Sequence, residues 1–329
     1  MKEKFLRELA DIQTGPFGSQ LHKEDYVADG TPIVTVEHLG NKMFSEQNLP
    51  RVSNTDKNRL KKYVLKQGDI VFSRVGSVDG CSYVDQKHDG WMFSGRCLRV
   101  RPTSEIDSEY LYYYFCLEET KQFVRNIAVG ATMPSINTKL LGEVVVTFPE
   151  LEQQKRISGI LSAIDSKIEV NQKINDNLSD LLQTIYQGQF GKVGLANNCG
   201  ILADICSYSK DKIEISKLSL DTYYSTENML PEKSGAVKAT SLPTTSQTTA
   251  CHKGDTLISN IRPYFKKIVY CEDDCGCSTD VLCFKPVHPR YTAYLFSTLY
   301  ADSFFNFMVA GAKGTKMPRG DKQQIMTYP

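Results

Sequence analysis

The sequence predicts an α+β protein in which two tandem domains of mixed helix and sheet are joined by a long helix of a coiled coil. Two observations predict this fold: short motifs occur twice in the same order, and a heptad pattern of apolar residues lies between the two copies. The length of 329 residues agrees, because a typical domain has about 150 residues. The predicted boundaries are 1–149 for the first domain, 150–190 for the spacer helix and 191–329 for the second domain.

Six short segments of the first copy recur in the second, and the offset between them falls only from 193 to 180 residues. The paired segments are 9–12 and 202–205, 68–73 and 254–259, 94–102 and 278–286, 110–112 and 294–296, 133–134 and 317–318, and 146–149 and 326–329. Each match is weak alone, but a series in register indicates a tandem duplication. Both copies should share one fold, and the strand motif and the Met-Pro segment should belong to the core that the copies have in common.

Apolar runs and turn residues predict the elements within each copy. Residues 66–69 form a turn before the apolar strand 70–72, and residues 144–146 form another buried strand. Aromatic residues and leucines at helical spacing predict a single helix over 108–129.

Residues 150–187 have the pattern of one long helix. They include no proline and a single glycine, the first turn is acidic, and glycines at 188, 191 and 194 should end the helix. Apolar residues alternate at spacings of four and three, which is typical of a coiled-coil seam that needs a partner. The predicted partner-binding residues are Ile157, Leu161, Ile164, Ile168, Leu178, Leu182 and Ile185. Asn171 and Asn175 occupy the two remaining positions of the same seam.

Composition excludes several classes of protein. No apolar run approaches the ~18 residues of a membrane span, and the charged start lacks the apolar core of a secretory signal. Ten cysteines are too few for a disulfide framework, so we expect them to be reduced in the cytoplasm. A net charge of +1 does not by itself indicate a nucleic-acid partner.

Several segments resemble the specificity subunit of type I restriction–modification enzymes. The resemblance covers essentially the whole chain and rests on the strand motifs 66–76 and 252–264 and on the helix segments 148–157 and 161–168. The sequence Pro-Glu-Leu-Glu-Gln-Gln at 149–154 is its most specific part.

The resemblance implies a non-catalytic subunit of a prokaryotic, cytoplasmic defence system. It implies two target-recognition domains, each reading one half of a split sequence in double-stranded DNA, and a spacer helix that docks methyltransferase subunits. Restriction (translocase) subunits would complete the complex. S-adenosylmethionine, ATP and Mg²⁺ are expected on those partner subunits, and no cofactor or metal is expected on this chain.

The sequence departs from the family in one respect. A second spacer helix normally follows the second domain, whereas this sequence stops at Pro329, the equivalent of Pro149. Either that helix is missing by truncation, or the spacer helix pairs with another chain, for example by self-association.

Residues in the predicted loops are candidates for DNA contact, because cations lie beside aromatic rings after a strand and glutamine can pair with adenine. The candidates are Phe17, Gly18, Gln20, Arg74, Ser77, Asn260, Arg262, Tyr264, Lys266 and Lys267. The alternative for each is an ordinary solvated loop. Net charges of 0 for the first domain and +3 for the second predict weak binding by the chain alone, with much of the phosphate attraction supplied by partners.

Other chemistry has weaker signals. Residues 259–264 only faintly resemble the Asn-Pro-Pro-aromatic turn of methyltransferases, and Asp69 and Asp255 have the Gly-Asp context of a simple turn. Two interpretations fit a cluster of cysteines with a nearby histidine: a zinc site, or small residues of the core. The cluster comprises Cys271, Cys275, Cys277 and Cys283, with His288 nearby. The first copy has Phe93 and Arg99 at two of these positions, which favours the core.

Three hypotheses therefore remain at this point: a non-catalytic DNA reader and scaffold, a coiled-coil adaptor that binds only protein, and an enzyme (a nuclease or methyltransferase) with an unrecognised site. The missing cofactor and metal motifs favour the first over the third.

Overall fold

The structure, a computed structural model, describes residues 1–16, 20–190 and 200–329. The chain forms two compact units, Met1–Asn171 and Gln172–Pro329. The division falls inside the long helix, so each unit contains one mixed domain and the half of the helix next to it in sequence. The predicted boundaries at 149 and 190 stay a prediction. Within the described ranges, no helix combines the length and apolarity that a membrane crossing requires.

Among its described residues, the first unit contains ten strands. They are β1 (Lys2–Phe5), β2 (Ala10–Thr14), β3 (Tyr26–Val27), β4 (Thr31–Val34), β5 (Arg51–Val52), β6 (Ile70–Ser73), β7 (Cys81–Tyr83), β8 (Met92–Phe93), β9 (Cys97–Pro102) and β10 (Val145–Phe148). Its helices are α1 (Leu6–Leu9), α2 (Asn54–Arg59), α3 (Ser108–Cys116), α4 (Glu118–Ile127) and α5 (Thr138–Gly142). The long helix α6 (Leu151–Phe190) follows.

The second unit repeats this plan among its described residues. Its strands are β11 (Cys206–Tyr208), β12 (Lys212–Glu214), β13 (Tyr223–Tyr224), β14 (Gln247–Cys251), β15 (Thr256–Ser259), β16 (Ile268–Tyr270), β17 (Cys275–Cys277) and β18 (Val281–Pro286). Its helices are α7 (Thr292–Tyr300), α8 (Asp302–Ala310) and α9 (Lys322–Ile325).

The sheets show that the two copies share one fold. An antiparallel sheet has the order β2-β9-β6-β7 in the first unit and β11-β18-β15-β16 in the second, and the motif strands β6 and β15 are interior in both. A second four-stranded sheet contains one parallel pair in each unit, β4 with β8 and β13 with β17. Helices pack against the first sheet, as in the edge-to-face contact of Phe72 with Phe115, whose ring centroids are 4.7 Å apart. The predicted α+β fold with two domains joined by a long helix is confirmed.

Three details of the sequence prediction were wrong. The helix predicted over 108–129 is two helices, because Leu117 adopts an extended backbone (ψ 134°) between α3 and α4. The last strand runs over Val145–Phe148 instead of 144–146, since it pairs with the N-terminal strand β1. Helix α6 continues through Gly188 to Phe190, because one glycine lowers helix propensity without breaking the hydrogen-bond ladder.

Both ends of α6 are fixed to the domain beside them. Gln154 is buried, and its amide donates to the Pro149 carbonyl at 2.9 Å and accepts from the Asp107 main-chain N–H at 2.8 Å. In the second unit the Tyr186 hydroxyl lies 2.9 Å from the Thr298 hydroxyl. Hydrogen bonds of buried Gln154 and half-buried Tyr186 therefore attach each end of the helix to the domain beside it.

Candidate nucleic-acid interface

Each domain presents an exposed loop where its interior motif strand ends. We call this the post-strand loop; it comprises residues 74–80 after β6 in the first domain and 260–267 after β15 in the second. The strand before it is hydrogen-bonded on both sides. The position of the loop is therefore fixed by the sheet, which is the usual arrangement of a recognition loop on a rigid scaffold.

A second segment, here called the hairpin, comprises residues 129–135 and 313–319. In the first domain Val129 and Ser135 exchange main-chain N–H···O=C bonds of 2.9 and 2.8 Å, and in the second Lys313 and Arg319 exchange two bonds of 2.9 Å. The offset between these residues is 184 in every case. The hairpin is thus the same element in both copies.

Main-chain hydrogen bonds hold the hairpin against the post-strand loop. The Gly76 N–H donates to the Pro134 carbonyl at 2.8 Å, and the Arg262 N–H donates to the Pro318 carbonyl at the same distance. The Ile136 N–H also donates to the Arg74 carbonyl at 2.9 Å. The two segments therefore form one surface in each domain, which we call the loop–hairpin surface.

The bonding pattern makes Arg262 the structural equivalent of Gly76. Both residues lie in the left-handed region, with φ 76° at Gly76 and 49° at Arg262. Glycine adopts this conformation freely, whereas a residue with a Cβ pays roughly 1–2 kcal/mol. The second domain therefore keeps an arginine side chain at a position where its backbone is strained.

The structure places the predicted residues of the first domain in different surroundings. Arg74 is half-buried on the loop–hairpin surface and donates to the Gly95 carbonyl at 3.1 Å, and Ser77 is exposed on the same loop. Gln20 is exposed elsewhere, and its amide oxygen accepts from the Tyr63 hydroxyl at 2.5 Å. Phe17 and Gly18 lie outside the described residues.

The five predicted residues of the second domain all belong to the post-strand loop. Tyr264 is 46% exposed beside Phe265, and Arg262 is half-buried. Lys266 contacts Asp302 at 3.1 Å. Lys267 donates to the Thr226 carbonyl at 2.6 Å, and burial lowers its pKa.

Asn260 points inward. It is buried, and its side-chain oxygen has no hydrogen-bond partner among the described residues. Arg262 and Tyr264 are therefore the members of the predicted set whose polar or aromatic groups are best placed to meet a ligand.

The sequence prediction missed the hairpin as part of this surface. We expected the Met-Pro segments in the core frame, but Met133 is 64% and Met317 is 49% exposed. Their recurrence in both copies was visible, but recurrence alone does not distinguish a core residue from a residue on a repeated surface.

The four cysteines of the zinc interpretation are core residues. Cys271, Cys275, Cys277 and Cys283 are all buried, and the sulfur atoms of Cys271 and Cys275 are 3.6 Å apart. In the part of the chain that the structure describes, no group of three or more His, Cys, Asp or Glu residues could hold a metal ion. His288 instead accepts from the Arg290 N–H at the start of a short helix.

Apolar side chains of α6 form an exposed stripe. Ile164, Ile168, Leu178 and Ile185 are each more than half exposed, and Leu161 is 36% exposed. Ile157 and Leu182 are half-buried. Ile160, Ile174 and Leu181 are also exposed beside this seam and widen it. Large contiguous apolar surface on a soluble protein marks an interaction site.

Residues 1–180, more than half of the chain, match the family model of the type I restriction modification DNA specificity domain. The chain belongs to this family. This is the family that the tandem domains and the helix opening predicted.

Individual relatives support the same assignment. The chain is 32% identical to the type I restriction enzyme MjaIX specificity subunit of Methanocaldococcus jannaschii over 57% of this chain and 43% of that protein. It is 27% identical to the MjaVIII specificity subunit of the same organism over 53% of this chain and 41% of that protein. The chain thus spans less than half the length of these relatives.

A solved structure supports the fold. The type I restriction–modification system S subunit from M. genitalium superposes on 91% of this chain and 77% of its own, with a TM-score of 0.52 and 17% identity.

Proposed function

We propose that the chain recognises a bipartite, asymmetric sequence in double-stranded DNA as the specificity subunit of a type I restriction–modification complex. The observation that supports this most directly is the pair of loop–hairpin surfaces. Their main-chain frames are equivalent, while the side chains that they present differ, with exposed Ser77 in the first domain and half-buried Arg262 beside exposed Tyr264 in the second. Two readers of unlike half-sites need this combination of a common frame and different contact residues.

The same proposal assigns no chemistry to the chain itself. Methyl transfer, ATP-driven translocation and cleavage would belong to partner subunits in the cytoplasm, which would bind S-adenosylmethionine, ATP and Mg²⁺. This chain would place them on the target DNA.

The exposed seam of α6 is the proposed docking surface for methyltransferase subunits or for a second helix, including that of a second copy. Apolar seam positions repeated over several heptads need a facing helix to exclude water from them. The seam has two asparagines near its middle, at 171 and 175, and polar seam residues restrict the register and partner of a coiled coil.

The decisive experiment maps methylated bases genome-wide in cells that express the chain with its methyltransferase partner. Replacing residues 260–267 by the corresponding loop of a homologous domain should change one half of the methylated sequence and leave the other half and the spacing intact. A graft of residues 13–67 should change only the other half. If either graft altered both halves, or if the site were palindromic without a gap, the two-reader proposal would be wrong.

A second experiment tests docking. Ile168→Asp with Leu178→Asp puts two charges on the seam and should abolish methyltransferase docking or self-association, because an unpaired charge at an apolar interface is not tolerated. Ser166→Asp with Asn177→Asp adds the same charge to the opposite face of the helix and is the matched control. Light scattering that showed the same assembly for both double variants would exclude the seam as the docking surface. A complex that assembled normally but protected no DNA sequence would favour the adaptor hypothesis.

A further inference from the structure

We infer that the loop–hairpin surface of the second domain is a clamp for the phosphate backbone of duplex DNA, formed by Arg262 and Lys316, and that the first domain has no such clamp. This inference rests on the proposed function, since it requires both domains to lie on DNA. It adds an asymmetry between the two domains. The second would supply the salt-dependent part of the chain's own affinity for DNA, whereas the first would contribute mainly through direct contacts with bases.

The two hairpins differ in charge at equivalent positions. In the second domain the hairpin has three cations, Lys313, Lys316 and Arg319, and no acid. At the positions of Lys313, Lys316 and Arg319, the hairpin of the first domain has valine, threonine and serine (residues 129, 132 and 135). The cationic hairpin is therefore a property of one copy and is not required by the shared fold.

Two of the three cations have partners within the domain. Lys313 forms an ion pair of 2.6 Å with Asp321, and Arg319 forms one of 3.1 Å with Asp280. Lys316 lies at the exposed tip and makes no ion pair with any residue that the structure describes. Its charge is thus available to an anion from outside the domain.

The main chain of Arg262 is bonded to the hairpin that carries this tip. Its N–H bonds the carbonyl of Pro318, two residues from Lys316. Its side-chain Nε is buried and has no hydrogen-bond partner among the described residues. A buried donor without a partner costs free energy, and so does the left-handed backbone of an arginine. Both costs occur at one residue, and favourable binding of an anion by the remaining N–H groups of the half-buried guanidinium would compensate for them.

The chemistry of the pair favours phosphate. A guanidinium binds a phosphate through two parallel N–H···O bonds, while an ammonium acts as a mobile point charge, and the two are often combined at phosphate sites. Main-chain hydrogen bonds fix the hairpin and the loop relative to each other, so the backbone positions that carry the two cations are held together. The second domain also has a net charge of +3 against 0 for the first, which places the phosphate attraction of the chain on this side.

The test measures the affinity of the full chain for a labelled duplex of mixed sequence as salt is raised, alone and with its methyltransferase partner. Lys316→Gln and Arg262→Gly should each weaken binding to all sequences and lower the slope of log affinity against log salt by about 0.9, because each removes about one phosphate contact. Arg262→Gly should fold normally, since glycine is the residue at this position in the first domain. Lys253→Gln, which neutralises an exposed lysine in the turn before β15, is the matched control and should leave the slope unchanged.

The outcomes separate this inference from the proposed function. If the wild-type chain binds DNA with a clear salt slope and both variants keep that slope, the clamp is refuted and the DNA-reading function stands. If the variants keep the slope but lose the methyltransferase, the surface docks protein, and the clamp is again refuted. If the wild-type complex shows no binding to DNA, the proposed function and the clamp are refuted together.

Discussion

The two domains use the same buried aspartate in different electrostatic settings. In the first, Asp69 is 1% exposed and accepts from both Nε and Nη2 of Arg101, at 2.7 and 2.6 Å. In the second, the equivalent Asp255 is also buried, but it accepts from the Cys283 thiol at 3.3 Å. Lys285, which corresponds to Arg101, pairs with Asp211 instead.

What stays constant is the hydrogen bond to the backbone. One carboxylate oxygen accepts from the Lys66 N–H at 2.8 Å in the first domain and from the His252 N–H at 2.8 Å in the second. This bond closes the turn before the motif strand, which explains why the Gly-Asp motif recurs. The charge partner is free to change, so the repeat preserves a turn and not an ion pair.

The largest expected difference is in the cost of removing the carboxylate charge. Asp69→Asn leaves the partly buried Arg101 without its carboxylate and should lower the free energy of unfolding of the first domain by about 3 kcal/mol. Asp255→Asn retains an oxygen for the turn and loses no cationic partner, so about 1 kcal/mol or less is expected. Trp91, the only tryptophan of the sequence, reports urea unfolding of the first domain by fluorescence. Hydrogen exchange of the β15 peptide reports the second. Equal losses in the two domains would show that the ion pair contributes little.

A smaller difference is expected where the post-strand loops turn. Gly76→Ala should destabilise the first domain by about 1 kcal/mol, because its φ of 76° disfavours a Cβ. The added methyl group meets no atom within 4 Å, so a steric clash does not contribute. Arg262→Gly should leave the second domain about as stable, since relief of strain is offset by the greater entropy of glycine in the unfolded chain. Trp91 fluorescence during urea unfolding checks the first variant, and hydrogen exchange of the β15 peptide checks the second. A large loss of stability on Arg262→Gly would mean that the arginine side chain stabilises the fold.

The pH dependence of the second domain provides a further test. Burial raises the pKa of the Asp255 carboxyl above its ordinary value of 3.8, against a lowering effect of the nearby His252 and Lys285. The folded domain therefore holds this proton to a higher pH than the unfolded chain does. As pH rises from about 3.8 through the raised pKa, wild-type stability should fall relative to Asp255→Asn. Hydrogen exchange of the β15 peptide in both proteins across this range tests the sign. A parallel pH dependence would contradict the raised pKa.

The smallest expected effect comes from making the hairpins alike. Thr132 is exposed and occupies the position of Lys316, so Thr132→Lys should add one phosphate contact to the first domain and raise the salt slope by about 0.9. Thr132→Gln is the control for side-chain length. An unchanged slope would indicate that this hairpin tip faces away from the DNA.

Much of the fold was predictable because the repeat provides its own alignment. Apolar strand runs such as 70–72 and the matched turns predicted two copies of one sheet. The break at Leu117 was not predictable, because leucine favours helix locally and only packing in the tertiary structure sets its extended backbone. The left-handed backbone of Arg262 was hidden for a related reason: its φ depends on the hydrogen bond to the hairpin, and an arginine gives no sign of a left-handed conformation.

Asp69 and Asp255 show how far the sequence can predict the surroundings of a residue. Their motif was recognised as a turn, which the structure explains, but the sequence could not reveal which partner each carboxylate takes. Candidate loop residues were identified by type, yet Lys266 and Lys267 bond within the domain while the neighbouring Arg262 Nε has no partner among the described residues. Side-chain direction in a loop depends on three-dimensional context that spacing does not encode.

The bonds that join each hairpin to its post-strand loop run between main-chain N–H and C=O groups, and this has a consequence for how the protein changes. Such bonds do not depend on which side chains the residues have, so exposed positions such as 132 and 316 can be substituted without loss of the scaffold. Point substitution alone can therefore generate a new contact surface, with no insertion and no refolding. Saturation libraries at these tips should retain a high fraction of folded members, and the two domains can acquire new preferences independently of each other.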